Sequence, residues 1–306
     1  MPETTLVNVN GRQLKLTNLS KTFYPEAGLA KKDVISYYAR IAPFLLPHLA
    51  GRPLTLKRYP DGAGGSFFYQ KECPAPRPGW IRTVAVWSSR NLREVQYCVV
   101  DNLASLVWTA NLAAIELHTS LSLAAAISQP TAVVFDLDPG PPAAILECAQ
   151  AALWLKDVLD GLKLESFPKT SGSKGLQIYV PINTSIGYEE TKGFARAIAR
   201  LLEAAHPDSI VSKMPKALRH GKVFIDWSQN DPHKTTVCVY SLRATKKATV
   251  STPVTWEEVA AARENRHPGF LTFNWRQVLE RTAKDGDLFA PVLTKQQKLP
   301  QLASSH

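Results

Sequence analysis

What this 306-residue chain lacks narrows its class before any motif is read. Its four cysteines, Cys73, Cys98, Cys148 and Cys238, include no pair at a CxxC spacing. That argues against a zinc knuckle or a disulfide framework and makes reduced, cytosolic thiols the expectation. No apolar run approaches the length of a membrane span. The opening MPETTLVNVN shows no basic-then-apolar export pattern, so a cytoplasmic protein is expected. There is no internal repeat, no long low-complexity linker and no GxxxxGK[ST] phosphate loop. Acidic residues are also in short supply: 26 Asp and Glu stand against 36 Lys and Arg, a net charge of +10. A basic excess of this size favours a polyanionic partner, nucleic acid first. The apolar share of 45% is ordinary for a globular protein, and the length allows one large domain or two lobes.

What is present reads as an α+β chain. Val34, Tyr37, Tyr38, Ile41 and Leu45 recur at helical spacing within residues 32–46. Strand-like runs follow at LTLKRYP (54–60), SFFYQKE (66–72) and VQYCVV (95–100), then a helix over 102–112 and an extended AIELHTSL (114–121). The middle of the chain gives a strand (132–138), a helix beginning at Pro142, strands at 164–169 and 175–182, a helix over 188–205 and a strand at 222–228. The order β-α-β-β-α-β is ferredoxin-like, a pattern in which the first and last strands lie side by side. TVCVYSLRA (236–244) reads as one more strand, residues 255–290 as C-terminal helices, and 291–306 as a flexible tail. The boundaries are thus an N-terminal lobe of about 1–125, a central part of about 130–250 and the C-terminal helices, all in one domain over 1–290.

The stretch VVFDLDPG (133–140) ends a buried strand in two carboxylates, Asp136 and Asp138. Residues two apart on a strand share a face, so both can converge on divalent ions suited to phosphoryl transfer. Asp138-Pro139-Gly140 also fits a β-turn, which would explain Asp138 but not Asp136. Asp226, in VFIDWS, belongs to the last strand of the β-α-β-β-α-β unit and so can face the other two. Its alternative is an ion pair with Arg219 or Arg243. TSGSKG (170–175) offers small residues and Lys174 to a phosphate, or is an ordinary hairpin turn. His118, in IELHTS, can bond a triphosphate or sugar oxygen or be a satisfied core residue. Glu116, two residues earlier, reads as structural rather than as a fourth acid. Basic residues (Lys21, Lys31, Arg52, Lys57, Arg58) interleave with Phe67, Phe68 and Tyr69, as a surface tracking a DNA strand would, although some of these rings belong to the core.

Taken in order, RPLTLKRYPDG, FFYQK, NLAAIELH, VVFDLDPG, KTSGSKGLQIYVPI, KVFIDWSQN and YSLRA resemble the polymerase domain of bacterial DNA ligase D, a branch of the archaeo-eukaryotic primase superfamily. The resemblance runs from LTNLSKTFYPEAG to PVTWEEV, most of the chain. It implies a primase-type polymerase core with a ferredoxin- or RRM-like unit, an N-terminal α/β lobe and an active site in the cleft between sheets. It also implies two divalent ions, manganese preferred or magnesium, held by Asp136, Asp138 and Asp226. The family's nucleotide pocket falls on His118, Ser171, Lys174, Arg219, Gln229 and Arg243. Its 5′-phosphate pocket falls on Lys21 and Lys31, and its DNA contacts on Lys57, Arg58 and Phe67 or Phe68. Substrates would be NTPs or dNTPs, with ribonucleotides preferred. Partners would be DNA with 5′-phosphorylated gaps or ends, Ku, and ligase and nuclease domains of the same polypeptide, all in the bacterial cytoplasm. The chain departs from the family at Gln177, where a histidine is frequent, and in lacking the zinc module of replicative primases.

The reading is therefore a metal-dependent nucleotidyltransferase that extends primer 3′ ends and fills gaps at double-strand breaks in non-homologous end joining. Two rivals use the same residues differently. A two-metal nuclease or phosphoesterase needs the acids but no triphosphate pocket, and a non-catalytic end-binding module needs only the basic surface.

Overall fold

A computed structural model describes residues 3–88 and 91–300. In chain order its elements are β1 (Thr4–Val9), β2 (Arg12–Thr17), β3 (Thr22–Tyr24), β4 (Leu29–Ala30), α1 (Lys31–Leu49), β5 (Leu54–Arg58), β6 (Phe68–Gln70), β7 (Arg82–Ser88), β8 (Arg93–Val99), α2 (Leu103–Asn111) and β9 (Ala114–Thr119). Then come β10 (Ala132–Pro139), α3 (Ile145–Gly161), β11 (Phe167–Thr170), β12 (Leu176–Pro181), α4 (Tyr188–Ala205), β13 (Ile210–Val211), β14 (Val223–Asp226) and β15 (Thr236–Val237), and finally α5 (Trp256–Glu264), α6 (Trp275–Asp285) and α7 (Pro291–Thr294). They form two compact units. The first takes residues 1–125, 235–251 and 274–287, and the second 126–234, 252–273 and 288–306. The expected N-terminal lobe is thus completed by two later segments of chain.

In the first unit, β15, β9, β5, β8 and β7 lie side by side in that order, with β6 also on β5. Helix α1 buries Val34, Tyr37, Tyr38, Ile41, Leu45 and Leu49, a stripe at helical spacing. The two tyrosine hydroxyls are satisfied inside the core, Tyr37 on the Tyr240 carbonyl at 2.8 Å and Tyr38 on that of Ile115 at 2.6 Å. The run 236–244 is a strand only at Thr236–Val237. Tyr240 has φ +63, which no extended strand accommodates, and the chain turns there so that Leu242 bridges Val250. Cys73 and Cys98 form a disulfide, so the expectation of reduced thiols fails for this pair. Their separation of 25 residues concealed it. The Cys73 amide donates to the Gln96 carbonyl at 2.6 Å, which lays the segment after β6 along β8. Cys148 and Cys238 remain free and buried.

In the second unit the strand order is β11-β12-β10-β14-β13. Strands β10 and β14 are antiparallel neighbours, as the β-α-β-β-α-β order requires. One face of the sheet is apolar. Val133, Phe135, Leu137, Leu176, Ile178, Val180, Val223 and Ile225 alternate inward and form one core with buried residues of α3 and α4. Where β10 runs beyond its pairing with β14, the Asn230 side chain takes the missing neighbour's place. Its Oδ1 accepts from the Val134 amide at 2.9 Å and its Nδ2 donates to the Val134 carbonyl at 2.8 Å. No turn forms at Asp138, because β10 continues through Pro139, with Asp138 opposite Phe224 and Pro139 opposite Val223. A proline is tolerated at that strand end, where pairing with β12 has already stopped at Leu137. Helix α3 starts at Ile145 rather than Pro142, since residues 140–143 close a turn from the Ala143 amide to the Gly140 carbonyl. The stretch expected as a loose tail is held as far as it is described. The Gln297 side chain bonds the amide and carbonyl of Glu165 and the carbonyl of Pro181, and its own amide donates to Ile182. Residues 301–306 lie outside the described residues.

Candidate active site

The other face of the five-stranded sheet is polar, and strand parity makes it so. Asp136 stands opposite both Gln177 on β12 and Asp226 on β14, and Gln177 stands opposite Lys169 on β11. A polar row of Lys169, Gln177, Asp136 and Asp226 therefore crosses four strands, with Asp138 two residues along from Asp136. Lys169, fully buried, donates from Nζ to Gln177 Oε1 at 2.6 Å, and the Gln177 side chain hydrogen-bonds Asp136. Burial, the Asp138 charge and the Asp226 charge push the Asp136 carboxyl up to about 7, against the pull of Gln177 and Lys169. Asp226 accepts from the Ser228 amide at 2.9 Å on Oδ1 and from Gln229 Nε2 at 2.9 Å on Oδ2. Lys234 in turn donates to the Ser228 hydroxyl.

The ion-pair alternative for Asp226 does not apply. Arg219 donates to the Met214 carbonyl at 2.6 Å and lies 3.6 Å over the Phe224 ring, while Arg243 pairs with Glu116. Phe224 is two residues from Asp226 on β14, so Arg219 covers the same face as the acids. Two glycines allow this crowding. A Cβ at Gly140 would sit 1.8 Å from the Arg219 carbonyl oxygen, and one at Gly175 would sit 2.0 Å from that of Leu137. The second contact draws the SGSKG loop to the end of β10. Within that loop Ser171 Oγ accepts from the amides of Ser173 at 3.3 Å and Gly175 at 3.1 Å. Those amides thus serve the loop's own shape, and Lys174 is exposed at its tip.

The remaining expected residues belong to the first unit, in two groups. His118, Lys57 and Arg243 gather around Glu116, and Phe67 lies against Lys57 with its ring 4.2 Å from Nζ. Tyr59 and Tyr69 complete this aromatic surround. Burial would raise the Glu116 carboxyl, but the His118 hydrogen bond and the charges of Arg243, His118 and Lys57 outweigh it and hold it well below the usual range. Burial holds His118 low despite the bond and charge of Glu116. In the second group the Lys31 amide donates to the Lys21 carbonyl at 2.8 Å, so two lysines ten apart in sequence are backbone neighbours. Lys31 is buried, with Nζ on the Thr17 carbonyl at 2.7 Å, whereas Lys21 is exposed and paired with Asp61 at 2.8 Å. Arg58 donates to Leu112 and Gln70 and lies under the exposed Phe68 ring, 5.2 Å away. Arg52 is buried, with its Nη1 on the Leu121 carbonyl at 2.7 Å, so it takes no part in a charged surface.

A family model described as LigD, primase-polymerase domain, matches residues 30–289. The chain belongs to the LigD primase-polymerase family. The chain is 38% identical over 282 residues to the multifunctional non-homologous end joining protein LigD of Mycolicibacterium smegmatis, covering 92% of this chain and 36% of that one. It is 31% identical to the bifunctional LigD of Bacillus subtilis over 295 residues, covering 96% of this chain and 46% of that one. It therefore spans between about a third and just under half the length of these relatives. The solved polymerase domain of Mycobacterium tuberculosis ligase D in complex with DNA superposes with a TM-score of 0.84 at 35% identity, over 93% of this chain and 99% of that one. The fold is thus the mixed α+β fold of LigD polymerase domains, and the enzyme class is nucleotidyltransferase.

For this LigD domain, metal fit turns on the acidic face. Among the described residues no three His, Cys, Asp or Glu side chains form a ready-made metal cage. The donor chemistry suits divalent ions all the same. Three carboxylates share one face, and a cation there would offset the burial and mutual repulsion that raise the Asp136 carboxyl. Closing Asp226 onto an ion competes with its bonds to Ser228 and Gln229. No helix among the described residues is long and apolar enough to cross a membrane.

The LigD site also holds residues that the sequence did not single out. Lys169 and Ser228 are the chief ones, and Gln177 was noted only as a departure. All three stand inside the quoted blocks KTSGSKGLQIYVPI and KVFIDWSQN. Counting strand parity outward from Asp136 and Asp226 would have found Lys169 and Gln177.

Proposed function

We propose that this domain is a metal-dependent polymerase that adds NTPs or dNTPs to primer 3′ ends, with and without a template and with a preference for ribonucleotides. It would fill gaps at double-strand breaks in bacterial non-homologous end joining, beside Ku and alongside ligase and nuclease domains. The observation that carries this reading is the register of β10 and β14. It sets Asp136 opposite Asp226 with Asp138 on the same face, in a chain whose relatives are LigD proteins. These three aspartates would hold two divalent ions, Mn²⁺ preferred or Mg²⁺. The ions would supply charge neutralisation for in-line attack on the α-phosphate and for departing pyrophosphate.

The chain's own residues do the rest. Gln177 and Lys169 steady Asp136, and Gln229 and Ser228 orient Asp226. Arg219, Lys174 and Ser171 take phosphate oxygens, as do His118 and Arg243, with His118 also reaching the sugar. Lys21 and Lys31 receive a recessed 5′-phosphate. Lys57 and Arg58 with Phe67 or Phe68 contact DNA, the rings by stacking on bases.

A labelled primer-template with a 5′-phosphorylated gap, NTPs and Mn²⁺ tests the reading. Extension is expected. Shortening would identify a nuclease, and binding without turnover an end-binding module. Replacing Asp136 and Asp138 together by Ala should abolish extension and leave DNA affinity intact. Surviving extension would refute the metal assignment.

A further inference from the structure

Glu116 is the most heavily engaged carboxylate of the first unit, and the proposed reaction has no direct use for it. Its side chain is 3% exposed. It accepts from the Tyr59 hydroxyl at 2.8 Å, His118 Nε2 at 3.1 Å and the Ala244 amide at 3.2 Å. Lys57 Nζ stands 3.4 Å from both oxygens and Arg243 Nε 3.3 Å from Oε2. Five groups from three parts of the chain thus converge on one carboxylate.

The fold explains the convergence. Glu116 and His118 are two apart on β9 and share a face, and Lys57 on β5 is the residue directly opposite Glu116. Arg243 and Ala244 are consecutive residues of the segment after β15, so Glu116 grips that segment through a side chain and a backbone amide. We propose that Glu116 is a positioning residue for nucleotide binding: it holds His118 and Arg243, with Lys57 beside them, in the arrangement that receives the triphosphate and sugar. The inference rests on the nucleotide-binding roles proposed above for His118 and Arg243.

Charge gives the physical reason. Lys57 and Arg243 would repel each other at such separations in a partly buried setting. One carboxylate between them removes the repulsion and still leaves the cluster net positive, as a polyanion requires. A neutral side chain in its place would leave the cations buried and uncompensated, and they would move apart toward solvent. The groups that bond or pair with Glu116 here, Lys57, Tyr59, His118, Arg243 and Ala244, all belong to the first unit. Loss of Glu116 should therefore weaken nucleotide binding in ground and transition states alike, which raises KM and spares kcat.

The experiment compares wild type, Glu116→Gln and Glu116→Asp in gap filling with Mn²⁺. Affinity for a non-hydrolysable nucleoside triphosphate, affinity for gapped DNA and melting temperature are measured alongside. Glu116→Gln should raise KM and weaken analogue binding by roughly tenfold to a hundredfold, with kcat within about threefold and DNA affinity falling by no more than the single contact of Lys57. Glu116→Asp keeps the charge but withdraws the carboxylate by one methylene, so it should recover most of the loss and still leave KM about threefold above wild type, a residual effect that carries the test if Glu116→Gln does not fold. Unchanged KM in the folded variant overturns the inference. So does a parallel fall in nucleotide affinity, DNA affinity and melting temperature, which marks a purely structural ion cluster. A wild-type protein that incorporates no nucleotide would instead refute the underlying polymerase reading.

Discussion

Single residues here carry charge into places where its cost can be measured. Lys31 is the clearest case: burial, then the charges of Arg58 and Lys21, lower its pKa to about 8. A lysine whose folded pKa lies below its unfolded value lowers stability while it is charged. That cost is present below about pH 8 and fades as pH rises toward 10.5, the ordinary value for lysine. The 5′-phosphate binding proposed for Lys31 would run the other way, strongest below pH 8 and lost as the lysine deprotonates. The preference for 5′-phosphorylated over 5′-hydroxyl gapped DNA, followed by fluorescence anisotropy, should shrink between pH 7 and 9.5. It should be small and flat with pH in Lys31→Ala. At this scale the sequence shows the charged groups but not their partners. Asp226 was weighed against arginines, whereas its oxygens are held by Ser228 and Gln229, its own near neighbours in the turn that follows. A lone motif shows a carboxylate and hides what bonds it.

At the scale of elements, periodicity found what is regular and missed what is closed by distant pairing. Helix α4 was read with its actual bounds because an amphipathic stripe is a local property. The neighbouring of β10 and β14, and with it the facing of Asp136 and Asp226, followed from element order. The hairpin of β1 and β2, strand β7 and the Cys73–Cys98 link did not. Their residues are half exposed, or their partners lie far off in sequence. Asn230 belongs to the same class, since a side chain acting as a length of strand has no periodic signature. Fully buried, it satisfies both polar groups of Val134. Asn230→Ala strands them and should cost about 2–4 kcal/mol, read as a lower urea midpoint with unchanged slope. A midpoint near wild type would mean that water replaces the amide without penalty.

Over the whole molecule, charge and connectivity matter most. A net charge of +10 predicts DNA binding that releases counterions. The logarithm of the affinity should fall linearly with the logarithm of salt concentration, and replacing Lys57 by Ala should flatten that line by about one contact. A salt-independent affinity would rule out phosphate tracking. Connectivity has a different consequence. The first unit takes residues 1–125 but also 235–251 and 274–287, so the segment carrying Arg243 reaches Glu116 only after residues 126–234 of the second unit have been made. During synthesis β9 therefore waits, with Glu116 in place and its arginine not yet made, through more than a hundred residues of translation. A ribosome that stops between residues 226 and 243 releases a polypeptide that already has its three aspartates and lacks part of the cationic cluster.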